Sequence, residues 1–156
     1  MQLLKFASIC IVVLVLCLTT FMVYISYFPS EGNLQKNIDI REKNYRTLEE
    51  VVRGNSDLIN PVISHITKLS SFAFPVLCKT PGKREKYLAK FSGAGVEIRP
   101  MIAGNIQRQP FFKKYVERFF DLPDADFMHE NAFYCGNYPD LTEMDIQVLQ
   151  NCLSDY

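Results

Sequence analysis

The chain of 156 residues lacks net charge, because 17 Lys and Arg balance 17 Asp and Glu. Nucleic-acid binders usually cluster basic residues on one face, whereas here the basic residues are spread among the acidic ones, which argues against nucleic acid as a partner. Histidine is scarce: His65 and His129 stand alone, and none of the five cysteines forms a C-x-x-C pair. Zinc sites need ligands at short spacings, so the sequence predicts no metal centre.

Familiar catalytic motifs are also missing. The chain has no G-x-S-x-G nucleophile motif, no P-loop and no dinucleotide-binding glycine pattern. Three of its cysteines, Cys78, Cys135 and Cys152, are odd in number and far apart. Such usage fits a reducing compartment better than a disulfide framework. We therefore assign no catalytic residue from motifs.

One long apolar segment is present near the start of the chain. Residues 6–25 form about twenty consecutive positions without a charge, enough to cross a bilayer as a helix that rises about 1.5 Å per residue. We predict that residues 1–28 are a membrane anchor. A cleaved signal peptide is the alternative, although its apolar region is usually only about 7–15 residues long.

The charges around this segment predict an orientation. Lys5 alone precedes it, and several basic residues follow it fairly closely: Lys36, Arg41, Lys43 and Arg46. Because positive flanks favour the cytoplasmic side, we predict a single-pass membrane protein with a cytoplasmic C-terminal domain.

Beyond the polar residues 29–38, which predict a linker, the pattern indicates one α+β domain over residues 39–156. Three stretches rich in branched and aromatic residues predict strands: Ser70–Cys78, Val96–Arg99 and Ala132–Asn137. Helices are predicted between and around them: Ile40–Arg53 after an Asp39 cap, one opened by Thr80 and Pro81, one from Pro110, a short one within residues 121–131, and a last one capped by Thr142 and Asp145. The predicted fold is a small three-stranded sheet with flanking helices.

The helix from Pro110 carries an aromatic stripe. Phe111, Tyr115 and Phe119 recur at i+4, and so do Phe112, Val116 and Phe120. A stripe at this spacing is far more often buried core than a cofactor site, so we predict that it packs inside the domain.

Several segments of this domain resemble the C-terminal small domain of the DegT/DnrJ/EryC1/StrS family of pyridoxal-phosphate sugar aminotransferases, and most closely its CDP-4-keto-6-deoxyglucose 3-dehydratase branch. The likeness covers roughly residues 39–156. The matching segments are S-S-F-A-F-P-V at 70–76, G-V-E-I-R-P-M-I-A-G-N-I-Q-R-Q-P at 95–110, D-L-P-D-A-D-F-M at 121–128 and F-Y-C-G-N-Y-P-D-L-T at 133–142, with a weaker R-E-K-N-Y-R-T-L at 41–48.

The resemblance implies a pyridoxal or pyridoxamine phosphate cofactor and a nucleotide-sugar substrate. In the family, the cofactor-binding and catalytic residues belong to a larger N-terminal domain that has no counterpart in this sequence. No lysine matches the Schiff-base position, and neither His65 nor His129 matches the histidine that replaces it in the dehydratases. We therefore expect no tight cofactor binding by this chain alone, and no catalytic residue within it.

The resemblance also marks candidate binding residues. In the family, the R-P-x-x-x-G-N segment folds toward the cofactor and the nucleotide sugar, which makes Arg99, Gly104 and Asn105 candidates for the substrate side. From the residues alone, a structural salt bridge between Arg99 and Glu97 or another acidic neighbour is about twice as probable, and an ordinary turn also needs a Gly-Asn pair.

Two functions remain open. One is part of a nucleotide-sugar 3-dehydratase or aminotransferase of lipopolysaccharide O-antigen biosynthesis, with a large domain or a dimer partner completing the site. The other is a membrane-tethered, non-catalytic binding module or a gene remnant. In either case, a face that packs on a large domain in the family would be apolar and exposed here.

Overall fold

The computed structural model describes residues 17–20, 22, 31–102 and 104–155. The chain divides into two compact units, residues 1–37 and residues 38–156. In the first unit, residues 17–20 and 22 are helical. No helix within the described residues is both long and apolar enough to cross a membrane. The predicted span at residues 6–25 falls mostly outside the described residues.

The second unit is an α+β domain, as the sequence predicts. Its elements, together with the helix that leads into it, are α1 (Glu31–Gly54), β1 (Ala73–Leu77), α2 (Pro81–Gly93), β2 (Ile98–Pro100), a 3-10 turn (Ile106–Arg108), α3 (Pro110–Tyr115), α4 (Pro123–Asn131), β3 (Ala132–Gly136) and α5 (Glu143–Leu153).

The three strands form an antiparallel sheet in the order β1-β3-β2. Phe74 of β1 and Ile98 of β2 both lie opposite Cys135 of the central strand. Successive side chains of a strand point to opposite faces, so Phe74, Val76 and Phe133 share one face with Cys135. All of them are buried, so this face is the core side of the sheet.

Helices α1, α2 and α5 cover the core side. Their apolar residues recur at helical spacing, for example at Tyr45, Leu48 and Val52 of α1, and they join the strand residues in one hydrophobic cluster. Aromatic contacts tie the layers together: Phe91 of α2 meets Phe133 edge-on at 5.3 Å between ring centroids. Burial of this apolar surface is the main stabilising contribution.

Asn137 links three parts of the domain. It is fully buried, and its side-chain amide donates hydrogen bonds to the carbonyls of Arg41 (3.0 Å) and Ser71 (2.9 Å). Its backbone N–H donates to the carbonyl of Phe72 at 2.8 Å. One side chain therefore connects α1, the entry to β1 and the exit from β3.

Two helix predictions need correction. Helix α1 begins at Glu31 rather than near Ile40, so residues 31–38 of the predicted linker form its first turns, and Asp39 pairs with Lys68 at 2.6 Å instead of capping the helix. No proline interrupts the chain between Pro29 and Gly54, and extending an existing helix is far easier than nucleating one.

The predicted aromatic core stripe is wrong. Helix α3 ends at Tyr115, so the i+4 spacing breaks down after one and a half turns. Most of the stripe is exposed, with relative accessibilities from 53% to 74%, at Phe111, Tyr115, Phe119 and Phe120. The periodicity marked apolar residues correctly, but those residues lie on the surface.

Candidate functional site

Arg99 reaches the open face of the sheet because of how the chain enters β2. Gly95, with a φ of +75°, turns the chain out of α2, and the N–H of Val96 donates to the carbonyl of Phe91. Ile98 then packs against the core. By strand alternation, Arg99 points away from it and lies beside Tyr134 of β3.

Two cavities adjoin this face, and both are lined by Arg99 and Tyr134. One, which we call the aromatic groove, has a volume of about 480 Å³ and is also lined by Phe72, Glu97, Tyr138 and residues of the α2–β2 turn and α5. The other, the basic cavity, has a volume of about 720 Å³ and is also lined by Arg84, Gly104, Gln109, His129 and residues 100–102. Arg99 therefore stands between two concave surfaces.

In this structure, Arg99 forms an ion pair with Glu97. Its guanidinium donates two hydrogen bonds to one oxygen of that carboxylate, at 2.7 and 3.0 Å. These bonds raise the pKa of Arg99, so its charge is permanent. The two side chains are 65% and 71% accessible, and such exposed pairs contribute little to stability. A ligand anion can replace Glu97 with little loss.

Gly104 has a backbone conformation that favours glycine, with a φ of +49°. It also lies against the His129 ring: a methyl group added to Gly104 would overlap Nδ1 and stand only 3.0 Å from Cγ. Glycine is therefore required here both by the turn and by the close approach of α4. The sequence suggested the first reason but gave no sign of the second.

Asn105 holds the loop in place. Its side chain is buried; the amide donates to Asp126 at 2.8 Å, and the carbonyl oxygen accepts from the N–H of Gln107 at 3.0 Å. Its backbone N–H donates to Nδ1 of His129 at 3.4 Å. Asn105 thus fixes the loop on α4 and, within the described residues, lines neither cavity.

A charged network supports the same loop from outside. Arg108 pairs with Asp126 at 2.6 Å and with Glu130 at 2.8 Å. The hydrogen bond from Asn105, and then that from Arg108, lower the pKa of Asp126. Gln107 adds two hydrogen bonds to the backbone of Phe120, at 2.7 and 2.8 Å. The Gly-Asn loop is therefore a well-anchored element.

The sequence did not single out Arg84, His129 or Tyr134. Arg84 looked like one of several charged residues of α2, and Tyr134 lies in the matched segment at 133–142 but was interpreted only as a strand residue. His129 was considered only as a metal ligand and as a catalytic histidine; the one signal for a role at this cavity is that it directly follows the matched segment D-L-P-D-A-D-F-M. Folding brings all three to the basic cavity together with Arg99.

The donors of the basic cavity fit a phosphate group better than a whole pyridoxal cofactor. Two guanidinium groups, an imidazole and a phenol can donate to phosphate oxygens. The described lining contains no lysine for a Schiff base and no carboxylate for the pyridine nitrogen. Among the residues that the structure describes, no cluster of three or more His, Cys, Asp or Glu can hold a metal ion.

No family model matches this chain. Two curated proteins resemble it, each over about a quarter of its own length. The chain is 27% identical over 119 residues to dTDP-4-dehydro-2,6-dideoxy-D-glucose 3-dehydratase of Saccharopolyspora spinosa, covering 74% of this chain and 26% of that protein. It is 28% identical over 113 residues to the lipopolysaccharide biosynthesis protein RfbH of Salmonella typhimurium, covering 70% and 26%.

Solved structures share the fold. The E. coli GDP-4-keto-6-deoxy-D-mannose-3-dehydratase with bound hydrated PLP superimposes with a TM-score of 0.66 at 22% identity, covering 79% of this chain and 32% of that one. A DegT DnrJ EryC1 StrS aminotransferase from Brucella abortus gives 0.65 at 14% identity, covering 78% and 31%. The predicted resemblance is confirmed: the homologues and structural neighbours of this chain are the nucleotide-sugar dehydratases and aminotransferases of the DegT/DnrJ/EryC1/StrS family.

Proposed function

We propose that this chain provides the small-domain wall of the active site of a PLP- or PMP-dependent nucleotide-sugar 3-dehydratase or aminotransferase in deoxysugar and O-antigen biosynthesis. The observation that carries the proposal is the position of Arg99, on the open face of the sheet between two cavities, in a domain whose relatives are such enzymes. A large domain must supply the cofactor-binding and catalytic groups.

Each part of the site has a limited task. When bound, the pyridoxamine cofactor supplies the electron sink that lets the C3 hydroxyl of the sugar leave. Arg99 offers a planar, permanently charged group to the phosphates or to a sugar oxygen. The loop at Gly104 and Asn105 fixes the wall of the basic cavity, and the aromatic groove provides apolar surface on the other side of Arg99.

An exposed aromatic surface supports a requirement for a partner. We define the aromatic patch as Phe111, Tyr115, Phe119 and Phe120, all more than half accessible. Ile102 and Ile106, exposed in the loop just before α3, add to the apolar surface. Apolar surface of this kind often marks an interface. We propose that a large domain, or a second subunit, packs on this side of the domain.

The second candidate function is a membrane-tethered, non-catalytic binding module. The uncharged run at residues 6–25 favours it, because it is long enough for a spanning helix. In this proposal, the domain lies on the cytoplasmic side and keeps the small-domain fold to bind a partner. The two proposals differ in whether a nucleotide sugar binds at Arg99.

Calorimetric titration of the full chain in mild detergent tests the proposal. We expect a CDP-hexose to bind, and pyridoxamine phosphate is tested in a second titration. We expect Arg99→Gln to weaken binding of the sugar nucleotide about tenfold or more, because this is the usual effect of losing a charged hydrogen bond. Arg53→Gln is the control, since Arg53 is an exposed arginine on α1. If the folded chain binds no sugar nucleotide even with a separately expressed large domain, the enzyme proposal fails and the tethered module is favoured.

A further inference from the structure

The described lining of the basic cavity contains basic side chains and no carboxylate. Arg84 comes from α2, Arg99 from β2 and His129 from α4, and no Asp or Glu belongs to the described lining. Glu97, the carboxylate that pairs with Arg99, lines the aromatic groove instead. Three separate elements thus direct cationic or donor side chains to one concave surface.

Arg84 is held in place with most of its donors unused. Its Nε donates to the carbonyl of Ala132, the first residue of β3, at 3.2 Å. A guanidinium has five N–H donors. Within the described part of the chain, the guanidinium of Arg84 makes no other hydrogen bond and has no carboxylate partner, although the backbone N–H of Arg84 donates to the carbonyl of Thr80 within the helix. Its position is therefore fixed by one bond, while the terminal nitrogens can bind an anion.

The hydrogen bonding of His129 sets which nitrogen can donate. Its Nδ1 accepts the N–H of Asn105, so a neutral ring carries its proton on Nε2. Gly104 contacts the Nδ1 side of the ring, and the ring lines the basic cavity. Nε2–H is therefore the donor that remains for a ligand.

We propose that Arg84, Arg99 and His129 together bind a phosphate group in the basic cavity, with Tyr134 as an additional donor. Arg84 and His129 would then be ligand-binding residues that the family resemblance does not mark. Phosphate fits because it carries more than one negative charge, and because the planar fork of arginine matches its oxygens. The identity of the ligand rests on the proposed function: the phosphate belongs either to the pyridoxamine cofactor or to the diphosphate of a sugar nucleotide.

Titration of the full chain with inorganic pyrophosphate tests the site without any enzyme activity. We expect Arg84→Gln to weaken pyrophosphate binding about tenfold or more and His129→Gln to weaken it about threefold or more, because each removes a donor to an anion. Arg53→Gln lowers the net charge by the same amount outside the cavity, and we expect it to change the affinity less than twofold. Circular dichroism of each variant verifies folding; if Arg84→Gln does not fold, Arg84→Lys and His129→Gln still test the site.

The proposal is overturned if the folded wild-type chain does not bind pyrophosphate. It is also overturned if Arg53→Gln weakens pyrophosphate binding as much as Arg84→Gln does. Two further titrations distinguish the source of the phosphate. Tighter binding of CDP than of pyridoxamine phosphate assigns the site to the nucleotide, and the reverse assigns it to the cofactor; cytidine, which has no phosphate, is the blank.

The phosphate site and the proposed function can fail separately. Pyrophosphate binding that depends on Arg84, without binding of any CDP-hexose even when a large domain is present, supports the phosphate site and contradicts the proposed function. A CDP-hexose that binds equally well to the wild-type chain and to Arg84→Gln supports the proposed function and overturns the phosphate site.

Discussion

Replacing Gly104 with alanine tests how α4 holds the loop. Alanine at a φ of +49° costs about 1–2 kcal/mol in backbone strain. The added methyl group also overlaps the His129 ring, so the ring must move and lose the hydrogen bond from Asn105, which is worth about 0.5–1.5 kcal/mol. The lower entropy of the unfolded chain with alanine offsets about 0.4–1 kcal/mol of these costs, so we expect the free energy of unfolding to fall by about 1–3 kcal/mol.

Gly95 offers a matched control. It also has a positive φ, +75°, but a methyl group there meets no atom within 4 Å. Gly95→Ala should therefore lower the free energy of unfolding through backbone strain alone. The lower entropy of the unfolded chain offsets about 0.4–1 kcal/mol of this strain, as it does in Gly104→Ala. The difference between the two variants measures the contact with His129.

Urea denaturation followed by circular dichroism gives both free energies. In the double variant Gly104→Ala/His129→Ala, the ring is absent, so we expect it to be more stable than the sum of the single changes predicts. If Gly104→Ala and Gly95→Ala lose the same stability and no coupling with His129 is found, the loop is not held as we describe.

Three further predictions concern the core and the ionisable groups. Asn137→Ala removes two buried hydrogen bonds to backbone carbonyls and should lower the free energy of unfolding by about 2–4 kcal/mol in urea denaturation. Asn151→Ala, at an exposed position, should change the free energy of unfolding by no more than about 0.5 kcal/mol, and equal effects of the two substitutions would contradict the role of Asn137. The pKa of Asp126 is lowered in the folded state. Ionised Asp126 therefore stabilises the fold above the ordinary carboxyl pKa of about 4, and this stabilisation is lost as the pH falls through the pKa of the folded state. Asp126→Asn should reduce the fall in the free energy of unfolding at acid pH, and an unchanged fall would show that the pairing has no effect. Burial raises the pKa of the Cys78 and Cys135 thiols to about 12, so a thiol reagent at pH 8 should label them only after unfolding. Mass spectrometry of the peptides measures the labelling, and rapid labelling of the native chain would refute the burial of these thiols.

The strand and cap predictions succeeded because their signals are local. The three strands appear where branched and aromatic residues predicted them, within three residues at each end. Thr80 caps α2 and accepts the N–H of Lys83, and Thr142 with Asp145 forms the predicted capping box. Each of these features depends on residues close together in the sequence, whose preferences a single chain displays.

The failures and omissions have a common physical cause. Whether Phe111 and Phe119 are buried depends on what packs against them, and periodicity does not contain that information. The basic cavity likewise draws Arg84, Arg99 and His129 from three distant segments, so no local pattern could reveal it. The ion pair of Arg99 with Glu97 was among the expected alternatives, since those residues are two positions apart.

The strand order has a consequence for synthesis of the chain. The middle strand, β3, is the last in sequence, so β1 and β2 gain their hydrogen-bonding neighbour only after residues 132–136 leave the ribosome. At about 5–20 residues per second, β1 waits for several seconds. During that time its apolar side chains and its unpaired backbone are open to contacts with other chains. Chaperone binding to nascent chains should therefore peak after β1 emerges and decline once β3 has followed.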